Sequence, residues 1–133
     1  MPVIPPIDSR DDAYFWEGVR KGALVSRECA NCGRIQHPPT PMCPACGSVA
    51  WTERQLSGRG TVNAWIVSRH PNRPDDPPRI VVLVDLEEGV RLVSNLIGAG
   101  TDEITNGMAV IVTFEDVEDV LLPQFRPAER ISA

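Results

Sequence analysis

The chain has 133 residues, 42% of them hydrophobic and 23% charged, and a formal net charge of −5, which leaves room for one domain or two very small ones sharing a core. No uninterrupted apolar stretch approaches the roughly 20 residues that cross a bilayer, so a membrane span is excluded. The N-terminal residues show no basic region followed by an apolar block, and early prolines would spoil one, so the expectation is a cytoplasmic protein. Thirteen prolines and ten glycines against seven aromatic residues favour short strands and turns over long helices.

In chain order, the first element is a predicted helix of about 12 residues, with Ser9 as N-cap, Asp12 three positions on as in a capping box, and Arg20, Lys21 and Gly22 at the far end. Tyr14, Phe15 and Trp16 are consecutive in it, so their side chains spread around more than a third of the circumference. Two readings stand: the aromatics cover the protein's own core, or they form a partner-binding surface.

All four cysteines follow within 18 positions, as Cys29-Ala-Asn-Cys32-Gly and Cys43-Pro-Ala-Cys46-Gly. Each Cys-x-x-Cys turn aims two thiolates at one point, and two turns built alike suit a tetrahedral zinc site. Structural disulfides and a redox dithiol compete with this reading; the first suits a different compartment and the second needs a helix N-terminus behind it. Four thiolates close the site, so the metal is expected to be one structural Zn²⁺ with no open position for catalysis. It also makes an acidic chain more acidic, which counts against a nucleic-acid surface. Residues 24–28 and 34–37 are predicted strands flanking the first knuckle, and residues 38–41, with three prolines, a stiff extended crossing to the second. His37 is too far along the chain to join the knuckle and is read as a surface or hydrogen-bonded histidine.

Beyond a flexible joint at Ser57-Gly-Arg-Gly60, strands dominate. Alternation places Val62, Ala64 and Ile66 on one face against Asn63, Trp65 and Val67 on the other. Residues 80–86 and 90–97 form the clearest hairpin, turning on Gly89. Residues 101–104 allow at most a helical turn, and two further strands follow over 109–115 and 120–123. The fold class is therefore mainly β: an N-terminal helical segment (1–23), a rubredoxin-like zinc ribbon (24–56), and a C-terminal five-stranded OB-fold barrel with a tail (57–133). Between the first two barrel strands runs a proline-rich loop that begins at His70. It is either a mobile linker or a site where Arg69, Arg73 and Arg79 meet phosphates through their guanidinium forks.

The combination of these pieces resembles one family over nearly the whole chain: Phe15-Trp-Glu-Gly18, the paired knuckles, Ser57-Gly-x-Gly-Thr-Val62, Pro78 with its strand, Gly107-Met-Ala-Val110 and Leu122-Pro-x-Phe-Arg-Pro127. It is similar to the acyl-CoA-associated zinc-ribbon plus OB-fold proteins long catalogued as a domain of unknown function. That resemblance implies a non-catalytic accessory subunit, partnered with a thiolase-like enzyme or a hydratase acting on acyl-CoA thioesters, sterol side-chain aldolases among them. A hetero-oligomer with two copies on an enzyme dimer is then expected, and if the chain binds a coenzyme A thioester, Arg69, Arg73 and Arg79 are the first candidates to meet its phosphates. The residues agree that no catalytic constellation can be assembled: the cysteines are committed to metal, and no serine or lysine has a base at a recognisable spacing. Two alternatives belong to other classes. A nucleic-acid-binding ribbon and OB module would need stacking aromatics in a basic groove, and the barrel strands offer only Trp65 and Phe114. An autonomous acyl-CoA thioester enzyme would show activity alone.

Overall fold

The computed structural model describes residues 12–69, 71–73, 75–117 and 119–128. The described residues form one helix and eight strands: α1 (Ala13–Arg20), β1 (Val25–Cys29), β2 (Ile35–Gln36), β3 (Trp51–Gln55), β4 (Arg59–Ser68), β5 (Arg79–Leu86), β6 (Arg91–Leu96), β7 (Ala109–Val117) and β8 (Val120–Pro127). They group into two compact units. One takes in the chain up to Ser57 together with Glu88–Val90 and Phe114–Pro123; the other holds Gly58–Glu87, Arg91–Thr113 and the chain from Gln124.

In the first unit, α1 is shorter than its sequence pattern predicts. It spans eight residues, with Asp12 in the N-cap position and no side-chain cap bond; the expected cap, Ser9, lies outside the described residues. Its C-terminus closes in a Schellman arrangement. Gly22 N–H donates to Val19 O at 2.9 Å and Ala23 N–H to Gly18 O at 2.8 Å, which satisfies two carbonyls that the end of a helix would otherwise leave open. So short a helix is marginal alone and depends on docking. It rests on β1 through Gly18, where a Cβ would lie 2.7 Å from Val25 Cγ2. Val19 of the helix is buried, as are Leu24 and Leu56. The ribbon sheet has the order β2-β1-β3. Its third strand, β3, is absent from the sequence reading, yet it pairs with β1 along the whole of both strands.

The other five strands form a closed barrel in the order β4-β5-β6-β8-β7. The β6–β8 pair is parallel, with Leu96 opposite Phe125, whereas β4–β5, β4–β7 and β5–β6 are antiparallel. This is the five-stranded OB arrangement expected from sequence. Strand β5 alternates strictly, with Ile80, Val82, Val84 and Leu86 buried, and Phe125 is wholly buried. The hairpin joining β5 to β6 turns on Gly89 at φ +89°. Strand β4 departs from its predicted faces. Its register against β5 slips between Val62 and Ala64, so Asn63 is a bulge and everything beyond it changes sides. Val62 is buried while Ile66, expected on the same face, is 63% exposed. Between β6 and β7, residues 101–103 make a turn in which Glu103 N–H donates to Gly100 O at 3.0 Å, and no helical turn forms there.

Candidate metal centre

The two knuckles repeat one hydrogen-bond pattern. Cys29 N–H donates to Arg34 O and Gly33 N–H to Cys29 O; in the second, Cys43 N–H donates to Ser48 O and Gly47 N–H to Cys43 O, all at 2.8–2.9 Å. Gly33 and Gly47 sit at φ +79° and +78°, and nothing lies within 4 Å of a Cβ added to either. Glycine is therefore needed there for backbone conformation and not for space.

This twofold repeat brings the four sulfurs of Cys29, Cys32, Cys43 and Cys46 within 4.8 Å of one another. The Cys29–Cys46 sulfurs are 3.5 Å apart and the Cys32–Cys43 sulfurs 3.7 Å. A tetrahedron of sulfurs around Zn²⁺, with Zn–S near 2.3 Å, has edges of about 3.8 Å, so the donor set fits one such ion. A disulfide requires about 2.05 Å, and all four cysteines are free. No helix starts behind either motif, as a redox dithiol would require. Cys29 and Cys43 are buried and Cys32 and Cys46 exposed, so the site is rooted in the ribbon and open on one side.

The backbone around the sulfurs favours thiolates unevenly. Cys32 N–H points at Cys29 Sγ at 3.5 Å and lowers its pKa. Cys46 is lowered to about 6, first by the Asn31 side-chain amide and then by the Ser48 N–H. Cys32 is raised to about 11 although the Arg34 N–H favours its charge, because desolvation and the neighbouring sulfurs weigh more. The sequence reading misses Asn31, a residue inside one knuckle that serves the sulfur of the other. The only signal for it is an amide side chain within a Cys-x-x-Cys loop.

The aromatic run of α1 divides. Tyr14 and Phe15 are buried, 7% and 8% exposed, and Trp16 is half-buried, its ring edge-on to Phe15 at 5.1 Å. Of the three, Trp16 alone keeps substantial surface. His37 is half-buried, its ring 5.7 Å from that of Phe15, and burial lowers its pKa. Arg69, Arg73 and Arg79 are all exposed. Arg79 opens β5 opposite Ser68, which puts Arg69 and Arg79 at the foot of the proline-rich loop. Arg73 faces Asp76 at 3.9 Å, a loose, solvated pair.

Residues 16–52 match the family described as ChsH2, rubredoxin-like zinc ribbon domain, and residues 53–115 the family described as ChsH2, C-terminal OB-fold domain. A DUF35 domain-containing scaffold protein of Pyrococcus furiosus is 36% identical over 99 residues, which cover 72% of each chain. The chain belongs to the DUF35 family. Among proteins similar to this DUF35 chain, a probable enoyl-CoA hydratase alpha subunit of Thermomonospora curvata is 42% identical over 92% of this chain and 39% of its own length. A 3-oxo-4,17-pregnadiene-20-carboxyl-CoA hydratase alpha subunit of Mycobacterium tuberculosis is 38% identical over 93% of this chain and 40% of its own. The chain thus spans about two fifths of the length of these two relatives. A solved structure titled Ltp2-ChsH2(DUF35) aldolase superposes with a TM-score of 0.86 at 42% identity, covering 93% of this chain and 99% of that one. A DUF35 protein of unknown function from Sulfolobus solfataricus shares the fold, with a TM-score of 0.62 at 14% identity.

Proposed function

We propose that this DUF35 chain is a non-catalytic accessory subunit of an acyl-CoA enzyme of thiolase fold, of the thiolase or sterol side-chain retro-aldolase type, and completes or stabilises that enzyme's active site or acyl-CoA channel. The observation that carries the reading is the end-to-end match to the DUF35 component of a two-component aldolase. The names of the two hydratase alpha subunits support the wider class, since both denote one subunit of an enzyme acting on a coenzyme A thioester. The chemistry of the chain agrees, because a closed set of four sulfurs leaves no coordination position for substrate.

In this reading one structural Zn²⁺ is held by Cys29, Cys32, Cys43 and Cys46 and organises the ribbon. Trp16 belongs to the contact with the enzyme, two copies sit on an enzyme dimer, and the cluster Arg69, Arg73 and Arg79 meets the phosphates of the coenzyme. Those contacts would be solvent-exposed and therefore weakened by salt. No described helix is long and apolar enough to cross a membrane, and the proposed setting is the cytoplasm.

The test is co-expression with a thiolase-fold acyl-CoA enzyme from the same organism, followed by size-exclusion chromatography with light scattering and assay of the enzyme with and without the chain. A stable complex whose thioester activity depends on the chain supports the reading. A chain that stays apart from the enzyme, or that turns over acyl-CoA alone, refutes it. Replacing Arg69, Arg73 and Arg79 together by Ala should raise the complex's KM for the thioester, and an unchanged KM removes the coenzyme contact.

A further inference from the structure

Among the described residues, the ribbon sheet ends at β3 with no strand beside it. Ala30 N–H donates to Ala50 O at 3.0 Å and Leu56 N–H to Leu24 O at 2.7 Å. In an antiparallel ladder the bonded pairs alternate, so residues 50, 52, 54 and 56 turn their backbone groups toward β1. Trp51, Glu53 and Gln55 therefore aim N–H and C=O away from the sheet, where no described strand lies beside them. Residues 52–55 are all exposed. Edges are normally blunted by short length, charge, proline, a bulge or a cover; β3 is short and carries Glu53 and Arg54 but no proline or bulge, and the described strands leave its outward N–H and C=O groups unpaired.

Beside this edge runs an open groove of about 830 Å³, lined by Tyr14, Arg27, Pro41, Val49, Trp51 and Glu53 among others. One end is apolar: Val49 is 74% exposed, and Trp51 is fixed by its Nε1–H donating to Pro41 O at 3.1 Å. The other end is polar, with the Arg27 guanidinium 4.7 Å over the ring of Tyr14, whose hydroxyl is itself buried away from the groove. Arg27 and Glu53 stand opposite each other in the register, yet no ion pair joins them among the described residues.

We propose that β3 receives an extended polypeptide segment of the partner enzyme as a fourth ribbon strand. The segment seats an apolar side chain between Val49, Pro41 and Trp51. The occupant is a polypeptide because alternating N–H and C=O groups at every second residue are matched by another extended backbone, with pockets beside the edge reading its side chains. This inference rests on the accessory-subunit reading.

The test uses the full chain co-expressed with a thiolase-fold acyl-CoA enzyme from the same organism. Glu53→Pro removes an N–H that faces the free edge and that the β1 ladder does not use, a position where a strand tolerates proline. Zinc content and melting should stay at wild-type values while affinity for the enzyme falls tenfold or more. Amide exchange of the wild-type chain provides a readout that needs no variant: the amides of Trp51, Glu53 and Gln55 should slow in the complex, while those of Thr52 and Arg54, already in the ladder, change little. A formed complex in which those three amides exchange as in the free chain overturns the strand addition and leaves the accessory role standing. Self-association of the chain alone, abolished by Glu53→Pro, overturns it in favour of a second copy. A wild-type chain that forms no complex overturns both.

Discussion

Cys43 shows how much one side chain can carry at the residue scale. It is 1% exposed, its N–H and C=O close the second knuckle, and its sulfur is one of four that converge. Cys43→Ser should yield protein that contains no zinc and has an unfolded ribbon, because metal binding contributes folding free energy on the order of 10 kcal/mol in such sites; metal analysis and near-ultraviolet circular dichroism check it. His37 sets a pH dependence of known sign. Burial against Phe15 lowers its pKa from 6.5, so on acidification the unfolded chain takes up the proton first. Stability from this group is complete above about pH 6.5 and declines as pH falls toward the folded value. His37→Phe should flatten that decline, which melting of zinc-loaded wild type and variant at pH 7.5 and 6.0 would detect. The cysteine spacing made the metal site legible because its ligands are near in sequence. Asn31 and His37 were not legible in the same way, since each owes its role to a neighbour that only folding supplies.

At the scale of elements, α1 and β4 make opposite cases. The helix was legible from its charges and aromatics, but its apolar run cannot by itself say which rings turn inward; docking of Gly18 on Val25 decides that. Trp16→Ala should keep zinc content and fold and reduce association with the enzyme about thirtyfold or more, the equivalent of 2 kcal/mol at a central interface aromatic. Isothermal titration against the enzyme measures it, and unfolding of the variant would instead place Trp16 in the core. In β4 the alternation was legible, but the bulge at Asn63 was not. Asn63 Nδ2 donates to Asp85 Oδ2 at 2.9 Å, and Arg91 Nε meets the other carboxylate oxygen at 2.7 Å, so the residue that breaks the register is anchored by two strands distant in sequence. Gly60, just before the bulge, passes so close to β5 that a Cβ would lie 2.5 Å from Asp85 O and 2.7 Å from Val84 Cγ1. Gly60→Ala should therefore destabilise the barrel by about 1–3 kcal/mol, seen as a lower urea midpoint.

For the whole molecule, the two units rest on different forces. The ribbon strands themselves bury few large side chains, so that unit draws on the cover of Tyr14, Phe15, Val19, Leu24 and Leu56 together with its sulfurs, as small folds do. The barrel fills its interior with Val62, Val82, Val84, Val110 and Phe125, each no more than 2% exposed. Chelation should therefore abolish amide protection in β1 and β3 while leaving the central barrel strand β5 protected, and simultaneous loss in both would show that the metal supports the entire chain. Phe125→Ala should act in the reverse sense, costing about 3–5 kcal/mol in the barrel through the cavity it leaves while zinc stays bound.

The sequence by itself determined the metal-binding constellation, the mainly β class, the barrel type and the β5–β6 hairpin, because those depend on local spacing, strict alternation and turn residues. Only the tertiary structure decided which of Tyr14, Phe15 and Trp16 keeps surface, where β4 changes faces, and that β3 exists at all. Those outcomes depend on pairing between residues far apart in the chain. A strand such as β3, exposed and polar along four of its five positions, has no hydrophobic periodicity to announce it and is a strand because β1 offers it a ladder.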